Sequence, residues 1–494
     1  MTETILVNCG VLETRVAVLA NNNVQDLHIE RGRRRSIVGN IYRGKVVRIL
    51  PGMQAAFVDF GAERTGFLHV SALAGGKGGT AGRREPAIAS ELHDGQELMV
   101  QVARDPLGSK GARLTTDLSL SSRLLVFMPR SAQLAVSQRI DDAGERTRLL
   151  LALQEALAAE GLVGNGQECE GGYILRTAAE GVDAAGMRAE LRFLQRLWDS
   201  VRRRSREATG LRILHEDLPL HLRVARDLAV QSVERILVDD PAAFVDLREF
   251  CQEYVPGLVA RLQLYDPASP LFEQYGVEEE IQRALGPRVE LASGGHLVIE
   301  QTEAMTTIDV NTGAFVGRRD AEETVYRTNL EAASTLARQL RLRNLGGIIM
   351  VDFIDMAEAG HRRQLQDALR QALQADPVRT TFNGMSELGL VALTRKRNGE
   401  SLQHILCVDC PVCQGSGALK SVRTVSCEIF RQVSRAAVRC EATELVVLAA
   451  PQVVNLLQGE ESASLAELER TSGKTIRLRA EPLYSQEHFD IATI

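Results

Sequence analysis

Two short apolar runs, each broken by one carboxylate, limit what this chain can fold into more than any other feature. The first is Thr306-Thr307-Ile308-Asp309-Val310-Asn311. The second is Gly346-Gly347-Ile348-Ile349-Met350-Val351-Asp352-Phe353-Ile354. Both are rich in β-branched residues and bounded by Gly, so both predict strands of an internal sheet. Between them runs Glu322 to Leu342, with apolar residues at helical spacing and Arg338, Arg341 and Arg343 near its end. Strand, crossover helix and strand make a βαβ-like unit that sets the two runs in one sheet. An isolated buried carboxylate is costly unless paired or bound to metal. Two brought together repel until a proton or a cation sits between them. One or two carboxylates, completed by waters and substrate phosphate, are the usual way to hold Mg²⁺. Asn311 lies two residues beyond Asp309 on the same strand face, where its amide can bond a carboxylate or a metal-bound water. The plainer reading is strand-end acids capping a turn. The pair together, flanked by Asn311 and Asp355, favours the metal.

The chain has 494 residues, about three domains by size. Its 45% hydrophobic and 25% charged residues are those of a soluble globular protein. With a net charge of −6, any contact with nucleic acid has to be local. Basic clusters stand at Arg31-Gly32-Arg33-Arg34-Arg35, Arg202-Arg203-Arg204-Ser205-Arg206 and Arg395-Lys396-Arg397. Each alone reads as a solvated face. The last ends a strand, Val391 to Arg397, and is expected to set positive charge near the acid-bearing sheet, where it would track phosphates. No apolar stretch approaches the ~20 residues of a membrane span and no signal peptide is seen, so a cytoplasmic protein is expected. Most of the eight cysteines are scattered singly, which suits reduced thiols.

Residues 1–37 read as strands. From Gly39 to about Asp117, alternating runs with Gly turns suggest an OB-type barrel. Phe57 and Phe67 are candidates for base stacking, Phe60 for the barrel core, and Gly75 to Ser90 for a loop. Met187 to Arg206 predicts a long helix whose apolar side, through Leu191, Leu194 and Trp198, is core. Leu218 to Leu285 reads as mostly helical. Cys410-Pro411-Val412-Cys413 is a knuckle that aims two thiolates at one metal. Structural Zn²⁺ takes four ligands, so half a site is present, and the simplest completion is the same knuckle of a second chain. The rivals are a redox dithiol, which would want an adjacent βαβ context that is missing here, and an intrachain site drawing on Cys407, Cys427 or Cys440.

Thr302 to Asn311, Thr328-Asn329-Leu330-Glu331-Ala332-Ala333, Arg338 to Gly347 and Val351 to Met356 together resemble the catalytic domain of the ribonuclease E/G family. The resemblance runs over essentially the whole chain. It implies an α+β multidomain protein in which an S1 (OB-type) β-barrel is inserted in an RNase H-like subdomain. A DNase I-like α/β catalytic subdomain, a zinc link and a small α/β dimerisation domain follow. The implied bounds are 1–37 and 218–285 for the RNase H-like parts, 38–117 for the S1 domain and 118–217 for a 5′-end sensor. They are 286–404 for the catalytic subdomain, 405–418 for the zinc link and 419–494 for the last domain. The resemblance makes Asp309 and Asp352 the Mg²⁺ ligands, with Asn311 as their helper. It makes Phe57, Phe67 and Lys110 contacts to RNA, and Arg176, Thr177 and backbone near Val126 the pocket for a 5′-monophosphate. Cys410 and Cys413 become the ligands of a Zn²⁺ shared between two chains, with Cys407 as an alternative. The implied enzyme is an endonuclease of single-stranded RNA, ribosomal RNA precursors and mRNA among its substrates, and a homodimer or homotetramer. The chain departs from the family at Ser122, where Gly is frequent, and at Gln138, where Arg is frequent, so its 5′-monophosphate preference is expected to be weaker or built differently. It also stops short of the polar tail of the family's larger members, which points to the shorter ones.

Overall fold

The computed structural model describes residues 3–32, 36–73, 87–106, 110–162, 171–228, 233–266, 269–313, 321–386, 389–440 and 442–493. Arg33, Arg34 and Arg35, most of the loop expected at 75–90, and Gly108 and Ser109 beside Lys110 lie outside them. Two compact units are formed, residues 1–405 and 406–494.

The first unit opens with three antiparallel strands, Glu3–Cys9, Glu13–Ala20 and Asn23–Arg31. Two later strands, Val233–Val238 and Leu262–Leu264, extend this sheet in parallel beside Glu3–Cys9. The segment read as mostly helical therefore carries two strands. The partner of Val233–Val238, Glu3–Cys9, is more than 220 residues away in sequence, and that pairing, not local pattern, buries Ile236 and Val238 completely.

Residues 41–115 close a barrel of five strands. Ile41–Leu50 pairs with both Ala55–Asp59 and Glu97–Arg104, Ala55–Asp59 with Gly66–His69, Gly66–His69 with Arg113–Thr115, and Arg113–Thr115 with Glu97–Arg104. Val46, Val58, Phe60, Leu68, Val100 and Leu114 fill it. Gly111 is needed where it stands, since a Cβ there would lie 2.0 Å from the Thr65 carbonyl oxygen. The helix Ala184–Glu207 packs Leu191 and Leu194 into a separate core with Phe127 and Tyr173.

The acid-bearing runs form the middle of a six-stranded sheet ordered Arg288–Glu290, His296–Gln301, Met305–Asn311, Gly347–Asp352, Leu390–Arg395 and Thr380–Met385. The two acid strands run parallel, joined by the crossover helix Ala321–Leu342. That helix and Ala359–Gln374 cover one face through Leu336, Leu340, Leu365 and Leu369. Each is fully buried, worth roughly 1.5–3 kcal/mol apiece. The opposite face is open: Ile348 is 50% and Met305 36% exposed. The sheet is thus not internal on both sides, as the unbroken apolar run from Ile348 to Val351 suggests.

Three guanidinium groups tie the end of the crossover helix to its surroundings. Arg338 donates to Glu280 and to the Val24 carbonyl. Arg341 pairs with Asp26. Arg343, 6% exposed, donates to Gln339 and to the Gly286 carbonyl, each at 2.7 Å.

In the second unit, a central strand Glu444–Ala449 pairs in parallel with Thr475–Ala480 and antiparallel with Phe489–Thr493. Helices Val422–Arg439, Pro451–Gln458 and Ser462–Ser472 accompany it. No helix among the described residues is long and apolar enough to cross a membrane.

Candidate active site

Alternation along the two acid strands decides where the carboxylates go. Ile308, Val310, Ile349 and Val351 point into the helix-covered core, each at most 5% exposed. Asp309 and Asp352 therefore share the open face, and both are exposed. The parallel register sets Asp309 directly opposite Asp352, on strands spaced roughly 4.8 Å apart. The Asn311 amide donates to Asp309 Oδ2 at 2.9 Å, which fixes the carboxylate's orientation. This replaces the expectation of buried acids: the repulsion is between neighbours in water. The pair sits at the carboxyl ends of the parallel strands, the end at which open α/β sheets bind ligands.

Two residues that sequence reasoning left without a role hold this edge together. Asn329, wholly buried on the crossover helix, donates to the Ile354 carbonyl at 2.8 Å and accepts from its N–H at 3.1 Å. It clamps the backbone just past Asp352. Glu331 accepts from the N–H groups of Ala292 and Ser293, before the strand that flanks Asp309. Their signal in the sequence was two polar residues, Asn329 and Glu331, set among the apolar positions of the helix.

The cations at 395–397 lie elsewhere. Asp352 pairs with Leu390 and Gly347 with Arg395, so Arg395 is five residues along the strand, roughly 17 Å from the acid end. Arg395 is 3% exposed, and its Nε donates to Asp376 at 2.6 Å inside the core. Arg397 donates to the Gly346 carbonyl. Neither is placed to meet a phosphate at the acid pair.

On the barrel, Phe57 and Phe67 are cross-strand partners, half-buried, with ring centroids 6.1 Å apart at 69°. His69 stacks 6.5 Å beyond Phe67. The strand register continues the row on both sides, with Arg48 opposite Phe57 and Arg113 opposite Phe67, both exposed. Lys110, exposed, stands three residues before Arg113. An aromatic strip bordered by cations suits single-stranded nucleic acid, whose bases stack while its phosphates pair.

Arg176 and Thr177 follow the strand Gly172–Leu175, which pairs with Leu125–Met128 and so brings Val126 alongside Ile174. The Arg176 Nη1 donates to the Ser122 carbonyl and its Nη2 to Asp227, both at 2.8 Å. The Thr177 and Ser137 hydroxyls lie 3.3 Å apart, with Gln138 exposed next to them. Ser122 is buried, and its hydroxyl closes the turn onto the Leu125 carbonyl at 3.1 Å.

Cys407 and Cys410 are exposed and Cys413 is half-buried. The N–H groups of Cys413 and Val412, then the Cys413 thiol, pull the Cys410 thiol below its ordinary value. That favours the thiolate a metal requires. Two parallel strands do occur nearby, Glu444–Ala449 and Thr475–Ala480, so the βαβ context held against a redox dithiol is present after all. The knuckle, however, precedes the helix Val422–Arg439 and has no strand leading into it. Among the described residues no three His, Cys, Asp or Glu side chains gather as a complete metal cage. Two exposed carboxylates suit Mg²⁺, which keeps most of its waters. Two thiols do not suffice for Zn²⁺.

Residues 119–398 match the model of the ribonuclease E/G family, and residues 409–494 that of the RNase E/G thioredoxin-like domain. The chain belongs to the ribonuclease E/G family. It is 48% identical over 496 residues to ribonuclease G of Escherichia coli K12, with 99% of both chains covered. It is 45% identical over 497 residues to ribonuclease G of Haemophilus influenzae, again with 99% of each covered. To ribonuclease E of Escherichia coli K12 it is 34% identical over 92% of its own length and 42% of that longer protein. The unit expected as a small α/β domain is thus thioredoxin-like.

Proposed function

We propose that this chain is an endoribonuclease that cuts single-stranded RNA in a Mg²⁺-dependent reaction and leaves 5′-phosphate and 3′-hydroxyl ends. The observation that carries the reading is the in-register Asp309–Asp352 pair on the open face of the sheet, in a chain of this family. Asp309 and Asp352 would hold the ion, and Asn311 keeps Asp309 turned toward it. When bound, Mg²⁺ supplies positive charge to the scissile phosphate and lowers the pKa of water. Phe57 and Phe67 stack two bases, and Lys110 meets a phosphate. Arg176 and Thr177, with backbone near Val126, receive a 5′-monophosphate, whose free oxygens match a guanidinium fork and a hydroxyl.

The five-stranded barrel is read as the S1 domain, 38–117, and the first sheet as the RNase H-like part, 1–37 with 218–285. The acid-bearing sheet is read as the DNase I-like subdomain, 286–404, with the sensor at 118–217. Cys410 and Cys413, in a link at 405–418, would share Zn²⁺ with a second chain in a homodimer or homotetramer. The similarity to ribonuclease G supports ribosomal RNA precursors and mRNA as substrates. Free cysteines throughout the described residues suit the cytoplasm.

Labelled single-stranded RNA and DNA of one sequence, incubated with Mg²⁺ or EDTA, test this. Cleavage of RNA alone, and only with Mg²⁺, is expected. Equal cleavage of DNA, or RNA cleavage that survives EDTA, would overturn it. Phe57→Ala and Phe67→Ala are each expected to raise the Kd for a short single-stranded RNA about tenfold, since a stacked base contributes about 1–3 kcal/mol. Fluorescence anisotropy in EDTA checks this. An unchanged Kd in both variants would move the RNA off the barrel strip.

A further inference from the structure

Arg176 already holds an anion. Its Nη2 reaches Asp227 Oδ1 at 2.8 Å, while its Nη1 is kept by the Ser122 carbonyl. Asp227 sits in a single π-helical turn, Val224–Leu228, a backbone form concentrated at functional sites. The carboxylate is held far more firmly from its other side. The Arg226 Nε lies 3.2 and 3.1 Å from its two oxygens and Nη2 lies 2.8 Å from Oδ2. Arg226 is in turn anchored on Asp217 at 2.6 and 3.2 Å. If Arg176 let go, Asp227 would stay paired and only one charge-assisted hydrogen bond would be lost. Arg226, Asp227 and Asp217 also line a cavity of ≈ 390 Å³ with Ser119, Leu120 and Ser121. The pair is open to a ligand, with side chains 29% and 28% exposed.

We propose that Asp227 is a specificity-determining residue whose carboxylate stands in the Arg176 fork as an internal substitute for a terminal phosphate monoester, which must displace it to bind. This rests on the reading of Arg176 and Thr177 as the 5′-phosphate pocket. A terminal phosphate carries about −1.5 to −2 at pH 7 and three free oxygens, so it gains by replacing a singly charged carboxylate. The parked carboxylate thus tempers the preference for phosphorylated ends, because part of the affinity is spent on the exchange.

The test is anisotropy in EDTA with a 3′-labelled RNA oligonucleotide bearing a 5′-phosphate or a 5′-hydroxyl. The readout is the ratio of the two affinities. Asp227→Asn is expected to raise that ratio about fivefold, the worth of one partly exposed ion pair. Asp227→Glu, which keeps the charge, should return it toward the parent value, and Arg176→Gln should bring it close to one. If Arg176→Gln collapses the ratio but Asp227→Asn lowers it or leaves it unchanged, the carboxylate anchors Arg176 instead of competing, and the proposal falls by itself. If Arg176→Gln keeps the parent's ratio, the pocket has been misread.

Discussion

Changing Asp352 to Asn is expected to slow cleavage of single-stranded RNA on the order of 10³-fold, the scale at which preorganised charge at a transition state is lost. Asn fills the same volume and points the same way, and the site is exposed, so the sheet has no packing reason to fail. What disappears is one of the two negative charges that face each other across the Asp309–Asp352 register. A single remaining carboxylate with Asn311 is a weak hold for a hydrated cation. Affinity for RNA measured in EDTA is expected to change little, because the barrel strip is elsewhere. Asn311→Ala should be milder, roughly 10- to 100-fold, as for a group that only orients a ligand, and higher Mg²⁺ should restore part of it. Single-turnover kinetics with a Mg²⁺ series make the measurement. Undiminished cleavage by the Asp352 variant would remove the acid pair from the chemistry.

Replacing both Cys410 and Cys413 with Ser is expected to abolish zinc binding and to halve the mass of the assembly in sedimentation. The local structure offers thiolates: backbone N–H groups aimed at Cys410 favour its charged form, and Gln414 at φ 49° turns the chain sharply back. It offers too few of them. A structural zinc site is worth about 10–16 kcal/mol in apparent binding free energy at pH 7, and that strength needs four donors. A second copy of the same knuckle would supply them with no new sequence. Metal analysis of the parent is expected to return one zinc for every two chains. One zinc per chain, or an unchanged mass in the double variant, would end the shared-site reading.

The acid pair was legible before any coordinates because the relevant distances are local. Two residues separate Asp309 from Asn311, and a β-strand's period of two leaves no choice of face. The crossover helix was legible for the same reason, and its observed start at Ala321 differs from the expected one by a single residue. In the barrel, the same alternation separated buried Phe60 from the half-buried Phe57 and Phe67. Whatever depends on register between distant strands was hidden. Arg395 looked like a free cation near the acids until antiparallel pairing carried it to the other end and Asp376 took it inside. The partner of Arg176 is 51 residues away in a segment with no recognisable motif. Val233–Val238 could not be told from its helical surroundings without Glu3–Cys9 beside it. The open side of the acid sheet was hidden too, since Ile348 and Met350 imitate the continuous apolar run of a strand covered on both faces.

The guanidinium groups at the end of the crossover helix have one more consequence. Arg338 and Arg341 fasten that helix to Glu280 and to Asp26 in the N-terminal sheet, and the helix joins the two strands that carry the carboxylates. The N-terminal sheet therefore serves as ballast for the strands that carry the carboxylates. Drift in residues far from any substrate could erode the enzyme by letting that linkage soften, with every acid still in its place.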